Sequence, residues 1–169
     1  VTIDGGTTAL VIAASTVDGD LTLTSGNVAG ITDTGTLTIG GNLSATTDDN
    51  AGVVTLDSLA VDGSIALATN STGNATVSND AGLEFAASTV GGALTATAVT
   101  GNITDSGALT IAGTSAFTTS ADDATITLNT STNAFTGAVT LTTNDGDGTA
   151  ANVTIDGGTT ALVIAASTV

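Results

Sequence analysis

The first seventeen residues, Val1 to Val17 (VTIDGGTTALVIAASTV), recur letter for letter as Val153 to Val169. Identity at an offset of 152 residues sets the organisation: residues 1–152 are one complete repeat, residues 153–169 open the next, and the parent is a tandem array. Old copies drift apart, so identity points to recent duplication or to recombination between copies. A weaker duplication lies inside the unit. Ala14 to Gly41 (ASTVDGDLTLTSGNVAGITDTGTLTIGG) resembles Ala87 to Gly113 (ASTVGGALTATAVTGNITDSGALTIAG), and Leu10-Val11-Ile12 answers to Leu83-Glu84-Phe85. The unit therefore reads as two diverged halves, about 1–75 and 76–152, with the insertions in turns.

Below the halves the signal is a short alternation, as in Leu21-Thr22-Leu23, Leu37-Thr38-Ile39, Ile65-Ala66-Leu67, Leu109-Thr110-Ile111, Ile126-Thr127-Leu128 and Val139-Thr140-Leu141. Side chains alternate across a strand, so each unit turns two aliphatics inward and leaves a small residue outside, and β-branched Thr and Val favour the extended backbone. Between the units stand Gly-Gly, Asp-Gly, Ser-Gly and Asp-Asp-Asn, residues suited to tight corners. Marking Ile3, Leu23, Ile39, Leu56, Val77, Ala96, Ile111, Leu128 and Ile155 divides the repeat into eight intervals with a mean of about 19 residues, a coil-sized period. The expected fold is all-β: a parallel β-solenoid, or β-helix, of about 19 residues per coil and about eight coils per repeat. At about 4.8 Å per coil one repeat would rise roughly 38 Å. The long interval from Leu128 to Ile155 is expected to loop outward. An immunoglobulin-like array needs a bulky aromatic core that three Phe cannot supply, and the β-branched content excludes helical repeats. A disordered Ser/Thr/Gly stalk would not keep so regular an alternation.

The amino-acid alphabet narrows function. There is no Lys, Arg, His, Cys, Met, Pro, Trp or Tyr, and the formal net charge is −16. Without cations a chain has no phosphate clamp and no attraction to nucleic acid or anionic lipid. Without His, Cys, Lys or Tyr, only carboxylates and hydroxyls remain for chemistry, so no enzyme is expected. Glu84, the only Glu, falls on an outward position of its strand. The longest apolar run, Ala9 to Ala14, is too short to span a membrane, and nothing here has the form of a leader peptide, so the segment reads as cut from something longer. Trypsin has no target in it.

Several groups are candidates for sites. Asp18 with Asp20, Asp48 with Asp49, Asp122 with Asp123, and Asp145 with Asp147 offer the hard oxygens that suit Ca²⁺. Their spacing makes neither an EF-hand loop nor a Gly-Gly-x-Gly-x-Asp repeat, and capping of turns is the competing use. Fifteen carboxylates fall within the repeat, the sixteenth, Asp156, belonging to the next copy. Over roughly 38 Å that is about one charge per 2.5 Å, well inside the roughly 7 Å at which two unit charges in water reach RT. No cofactor is required, but an atmosphere of Ca²⁺ or Mg²⁺ that bridges neighbouring shafts is expected. Sequons at Asn42, Asn70, Asn74, Asn102, Asn129 and Asn152 permit surface glycosylation. Thr-x-Thr steps at Thr22/Thr24, Thr36/Thr38, Thr95/Thr97, Thr125/Thr127 and Thr140/Thr142 would, stacked in register, make a flat hydroxyl face able to meet ice or a glycan, but uneven coil intervals are expected to break a strict lattice. Val11 faces outward and returns as Val163, a candidate lateral contact between shafts.

The run of Gly-x-Leu-x-Ile units, as in Gly35-Thr36-Leu37-Thr38-Ile39-Gly40 and Gly107-Ala108-Leu109-Thr110-Ile111-Ala112, resembles filamentous-haemagglutinin-like and other giant bacterial surface proteins. What this resemblance implies is a right-handed β-helix shaft, secreted or displayed at a cell surface, acting in adhesion, sheath or filament formation. No functional residue carries over. The expectation is a structural module of an extracellular fibre, partnered by identical repeats and neighbouring copies. The alternative is an adhesin stalk that binds glycans or a surface.

Overall fold

The computed structural model describes residues 1–48, 51–146, 148 and 151–169. Among them the chain forms twenty short strands and no helix, and every ladder is parallel. The strands gather into an eleven-stranded and a nine-stranded sheet whose neighbours are non-consecutive in sequence, as required when each coil lies on the one before. The fold is a parallel β-solenoid with three strand segments to a turn. In the first complete turn these are Leu21–Ser25, Ile31–Asp33 and Leu37–Ile39.

The turn is longer than the alternation implied. Along the ladder that starts at Thr2–Asp4, Ile3 pairs with Leu23, Leu23 with Ala45 and Ala45 with Leu67. The same ladder continues from Ile65 to Phe85, Phe85 to Asp105, Ile103 to Ile126 and Ile126 to Val153. These steps make seven turns of about 22 residues, not eight of about 19 residues. Alternation marks a residue as inward without saying on which face. Leu23 pairs with Ile3 and Ala45, whereas Ile39 pairs with Val17 and Val61 on another face, and Ile111 pairs with Val90 and Phe135. Using Ile39 and Ile111 as coil markers shortened the apparent coil and added an eighth. Seven turns rise roughly 34 Å. They take up two residues more than the 152-residue repeat, so Val153–Ile155, identical to Val1–Ile3, returns to the same face displaced by two positions with the same side chains inward. The longest step, from Ile126 to Val153, contains the outward loop expected after Leu128.

The interior is filled by stacked aliphatics such as Leu21, Leu43 and Ile65, each at most 2% exposed. The second half of the repeat adds Phe85, Phe117 and Phe135, one from each face, whose rings meet edge to face across the interior at 6.2 and 6.1 Å. Polar groups are buried only where they close a bend. Thr47, Thr69, Thr119 and Thr143 lie inward at strand ends, and their hydroxyls donate to the carbonyls of Gly52, Gly73, Ala124 and Ala151 at 2.8, 2.6, 3.2 and 3.2 Å. Each latches a corner loop to the strand before it, and at Gly73 the carbonyl also accepts the N–H of Gly92 at 2.9 Å.

Ser115 is the exception. It sits in an inward row between Leu94 and Val139, is 2% exposed, and its hydroxyl finds no partner among the described residues. An unsatisfied buried hydroxyl costs about 1–3 kcal/mol. Ser115→Ala is therefore expected to stabilise the fold by about 1 kcal/mol. A chemical-denaturation midpoint that falls instead would show that the hydroxyl is satisfied.

Candidate functional site

The outer surface carries whatever this shaft does, and its chemistry differs between corners and faces. At the corners, Asx side chains tie each turn to the next. Asp20 Oδ1 accepts the backbone N–H of Asn42 at 2.8 Å, Asn42 Oδ1 accepts that of Ser64 at 2.9 Å, and Asn74 and Asn102 do the same for Ala93 and Thr125 at 2.8 Å each. Three of the six sequon asparagines, Asn42, Asn74 and Asn102, are thus rungs of corner ladders. All six, with Asn70, Asn129 and Asn152, are exposed.

Two corner acids escaped the sequence reading. Asp33 accepts the N–H groups of Asp57 and Ser58 at 3.3 and 3.0 Å, and Asp105 accepts those of Asn129 and Thr130 at 3.0 and 3.3 Å. Asp105 also accepts the Nδ2 of buried Asn133 at 2.7 Å, while Asn133 Oδ1 receives the N–H of Leu109 at 2.8 Å. The signal was present in Ile-Thr-Asp, which occurs at 31–33 and again at 103–105, one half-repeat on. Asp105→Ala strands a buried amide as well as two backbone donors and is expected to cost about 2 kcal/mol, whereas Asp33→Ala, which strands no buried side chain, should cost about 1 kcal/mol. Equal losses in guanidine unfolding would contradict this ranking.

Of the aspartates singled out as metal ligands, the structure brings together Asp122, Asp123 and Asp145, all exposed, with one carboxylate oxygen of each within 4.8 Å of the others. Asp122 accepts the N–H of Gly146 and Asp145 that of Gly148. Asp18, Asp20 and Asp48 join no such group among the described residues, Asp20 being a corner cap, and Asp49 and Asp147 lie outside those residues. Glu84 is exposed beside Asp62 in an open groove of about 390 Å³ that also includes Asn102 and Thr104.

The faces are different. Strands Thr2–Asp4, Leu21–Ser25, Leu43–Thr47 and Ser64–Ala68 stack in unbroken register and present two outward columns, Thr2, Thr22, Ser44, Ala66 and Asp4, Thr24, Thr46, Ala68. Their counterparts in the second half, Ala75–Asn79, Leu94–Ala98, Ser115–Asp122 and Val139–Asn144, present Thr76, Thr95, Ala116, Thr140 and Ser78, Thr97, Thr118, Thr142. Uneven coil lengths do not break these lattices, because the extra residues are absorbed in the corners. The steps Thr22/Thr24, Thr95/Thr97 and Thr140/Thr142 fall on the two faces, while Thr36/Thr38 and Thr125/Thr127 lie elsewhere. Among the described residues no hydroxyl of either face makes a hydrogen bond within the chain, in contrast to the engaged hydroxyls of the corners.

The two faces lie on two of the three sides of the turn. In the turn from Leu21 to its partner Leu43, the ladder that becomes the second face passes through Ile31, close to midway along the chain between them. Val11, 59% exposed, heads a column on that second side that runs through Thr32 and Thr55 into Thr76, and Val163, 55% exposed, returns there one repeat later.

Stacked parallel turns and internal duplication define a repeat-built β-helix protein. A family model described as repeats of unknown function (DUF5649) matches residues 1–71 and again 72–142, and the chain belongs to that family. No curated protein and no solved structure matches it.

Proposed function

We propose that the chain is a shaft module of an extracellular fibre or surface filament, non-catalytic and built by coil stacking, akin to the shafts of filamentous-haemagglutinin-like surface proteins. The observation that carries this reading is the closure of the repeat. One 152-residue unit occupies seven turns to within two residues, so identical units follow one another with the same faces on the same sides. A chain whose copies bind ligands independently, on separate domains, has no need of that match. A shaft of continuous cross-section does. Stability in such a stack adds turn by turn, and its outer surface repeats with the unit.

Fibre diffraction and electron cryo-microscopy of the tandem array test the reading. A meridional spacing near 4.8 Å with a superperiod of about 34 Å is expected. Neither spacing would end the shaft reading, and single shafts that select sugars on a glycan array would favour the adhesin stalk.

Charge makes a second expectation. Fifteen carboxylates over a rise of roughly 34 Å come to about one per 2.3 Å, approaching the roughly 1.7 Å of duplex DNA, and no Lys, Arg or His offsets them. Electrostatic interactions among the side chains are repulsive, so divalent cations should gather along the shaft and stabilise it. Replacing Na⁺ by Ca²⁺ or Mg²⁺ at constant ionic strength is expected to raise the melting temperature, and chelation to reverse the gain. A melting temperature indifferent to both would remove the cation atmosphere from this account.

A further inference from the structure

We infer that the two hydroxyl faces are the surfaces on which one shaft meets a second copy of itself. This rests on the filament reading above and adds the contact surface.

Charge selects the surface. On a chain of net charge −16, two copies approach at least electrostatic cost where neither carries a carboxylate. The described acids lie at corners or on the rungs between the faces, as Asp33, Asp57, Glu84 and Asp105 do, and the exceptions are at the edges, Asp4 on the first face and Asp122 at the end of a second-face strand. The faces offer small side chains in straight columns, with hydroxyls unengaged within the shaft and free to bond across a contact. A partner of opposite charge would be drawn to the corners instead. The one partner sure to present an equally uncharged, equally spaced surface is another copy.

Area sets the length at which contact holds. Four rungs about 4.8 Å apart, on strands of about 16 Å, make a face of roughly 300 Å², so one matched pair buries roughly 600 Å² in total. That is below the roughly 1,200 Å² of a stable specific interface, and two successive repeats on one side reach it. Association should therefore strengthen steeply with repeat number, by multivalency along the shaft.

Position sets how neighbours add. The faces lie on two different sides of the three-sided turn and half a repeat apart along it, about 17 Å, and seven-turn closure returns each to its own side. Each shaft thus has two contact surfaces, so association can continue from shaft to shaft instead of ending at a pair.

The test compares tandem arrays of the 152-residue unit by electron cryo-microscopy, fibre diffraction and sedimentation. One variant carries Thr97→Asp and Thr142→Asp on the second face of every repeat, and a control carries the same added charge at exposed corners, Thr72→Asp and Thr132→Asp. Natural array and control are expected to associate side by side beyond pairs, and the face variant, left with its first face alone, to stop at pairs, with further lateral association weakened more than about 100-fold. Thr97→Gln with Thr142→Gln, bulky but neutral, should weaken it in the same direction should the charged variant fail to keep its spacing near 4.8 Å. Lateral arrays that grow equally well from face variant and control would overturn the inference. So would natural arrays that keep the coil spacing yet stay single at every concentration, including those whose faces bind ice or a glycan. Loss of the coil spacing from the natural array would instead remove the filament reading itself.

Discussion

Replacing Gly30 by alanine is expected to destabilise the shaft by more than about 3 kcal/mol, while the same change at Gly19 should lie within about 0.5 kcal/mol of neutral. Gly30 has a φ of +70° in the corner that follows Leu21–Ser25. Left-handed backbone alone costs an alanine about 1–2 kcal/mol. It is not the larger part here, because Ala51 and Ser71 adopt φ values of 63° and 53° in the same corner of later turns. What separates Gly30 from them is the next turn. A Cβ on Gly30 would fall onto the backbone of Val53, whose carbonyl accepts the N–H of Ile31 at 2.9 Å, while the carbonyl of Gly30 itself accepts the N–H of Leu10 at the same distance. Backbone cannot swing aside as a flexible side chain does, so the ladder must open on both sides of the corner. A Cβ on Gly19, in contrast, meets nothing within 4 Å. Guanidine unfolding followed by far-ultraviolet circular dichroism measures both, and a Gly30→Ala as mild as Gly19→Ala would show that the corner has room.

The same corner shows what could be read without coordinates. Alternation in Leu21-Thr22-Leu23 and its relatives reports which side chains are inward, and that much placed Leu23, Leu56 and Ile111 in the core. A period of two carries no information about the face, so Ile39 looked like the coil after Leu23 although the two belong to different ladders. The length of a turn is a property of the loops, and these vary from turn to turn. Thr97 and Thr142 were legible as outward residues because Thr-x-Thr is a local pattern. That Thr97 and Thr142 share one column is a relation between turns, fixed only by register. The roles of Asp105 and Thr69 were hidden for the same reason. Asp105 bonds groups in the following turn, at Asn129, Thr130 and Asn133, and Thr69 is buried by a loop, so neither role shows in the residues beside them.

Phe117→Ala is expected to cost about 3–5 kcal/mol and to loosen the second half before the first. Phe117 is fully buried, and its ring lies between those of Phe85 and Phe135 at 6.2 and 6.1 Å. Comparison of the halves shows why the site cannot collapse around an alanine. Ala45 is the counterpart of Phe117, and it is flanked along its ladder by Leu23 and Leu67, which fill the interior from either side. Phe117 is flanked by Ala96 and Leu141, so the large residue stands over a small one and the order of bulk is exchanged. Truncation would leave Ala96 beneath a void, with Phe85 and Phe135 losing their shared edge-to-face partner. Phe117→Leu keeps most of the volume and should cost no more than about half as much. Because stability in a stack of turns is the sum of neighbouring contacts, the loss is local. Amide exchange should accelerate first in the strands from Leu83 to Asn144, with Leu21–Ser25 and Leu43–Thr47 protected until higher denaturant. A single transition in which both halves lose protection together would mean that the seven turns unfold as one cooperative unit, and that the shaft's stability does not add turn by turn.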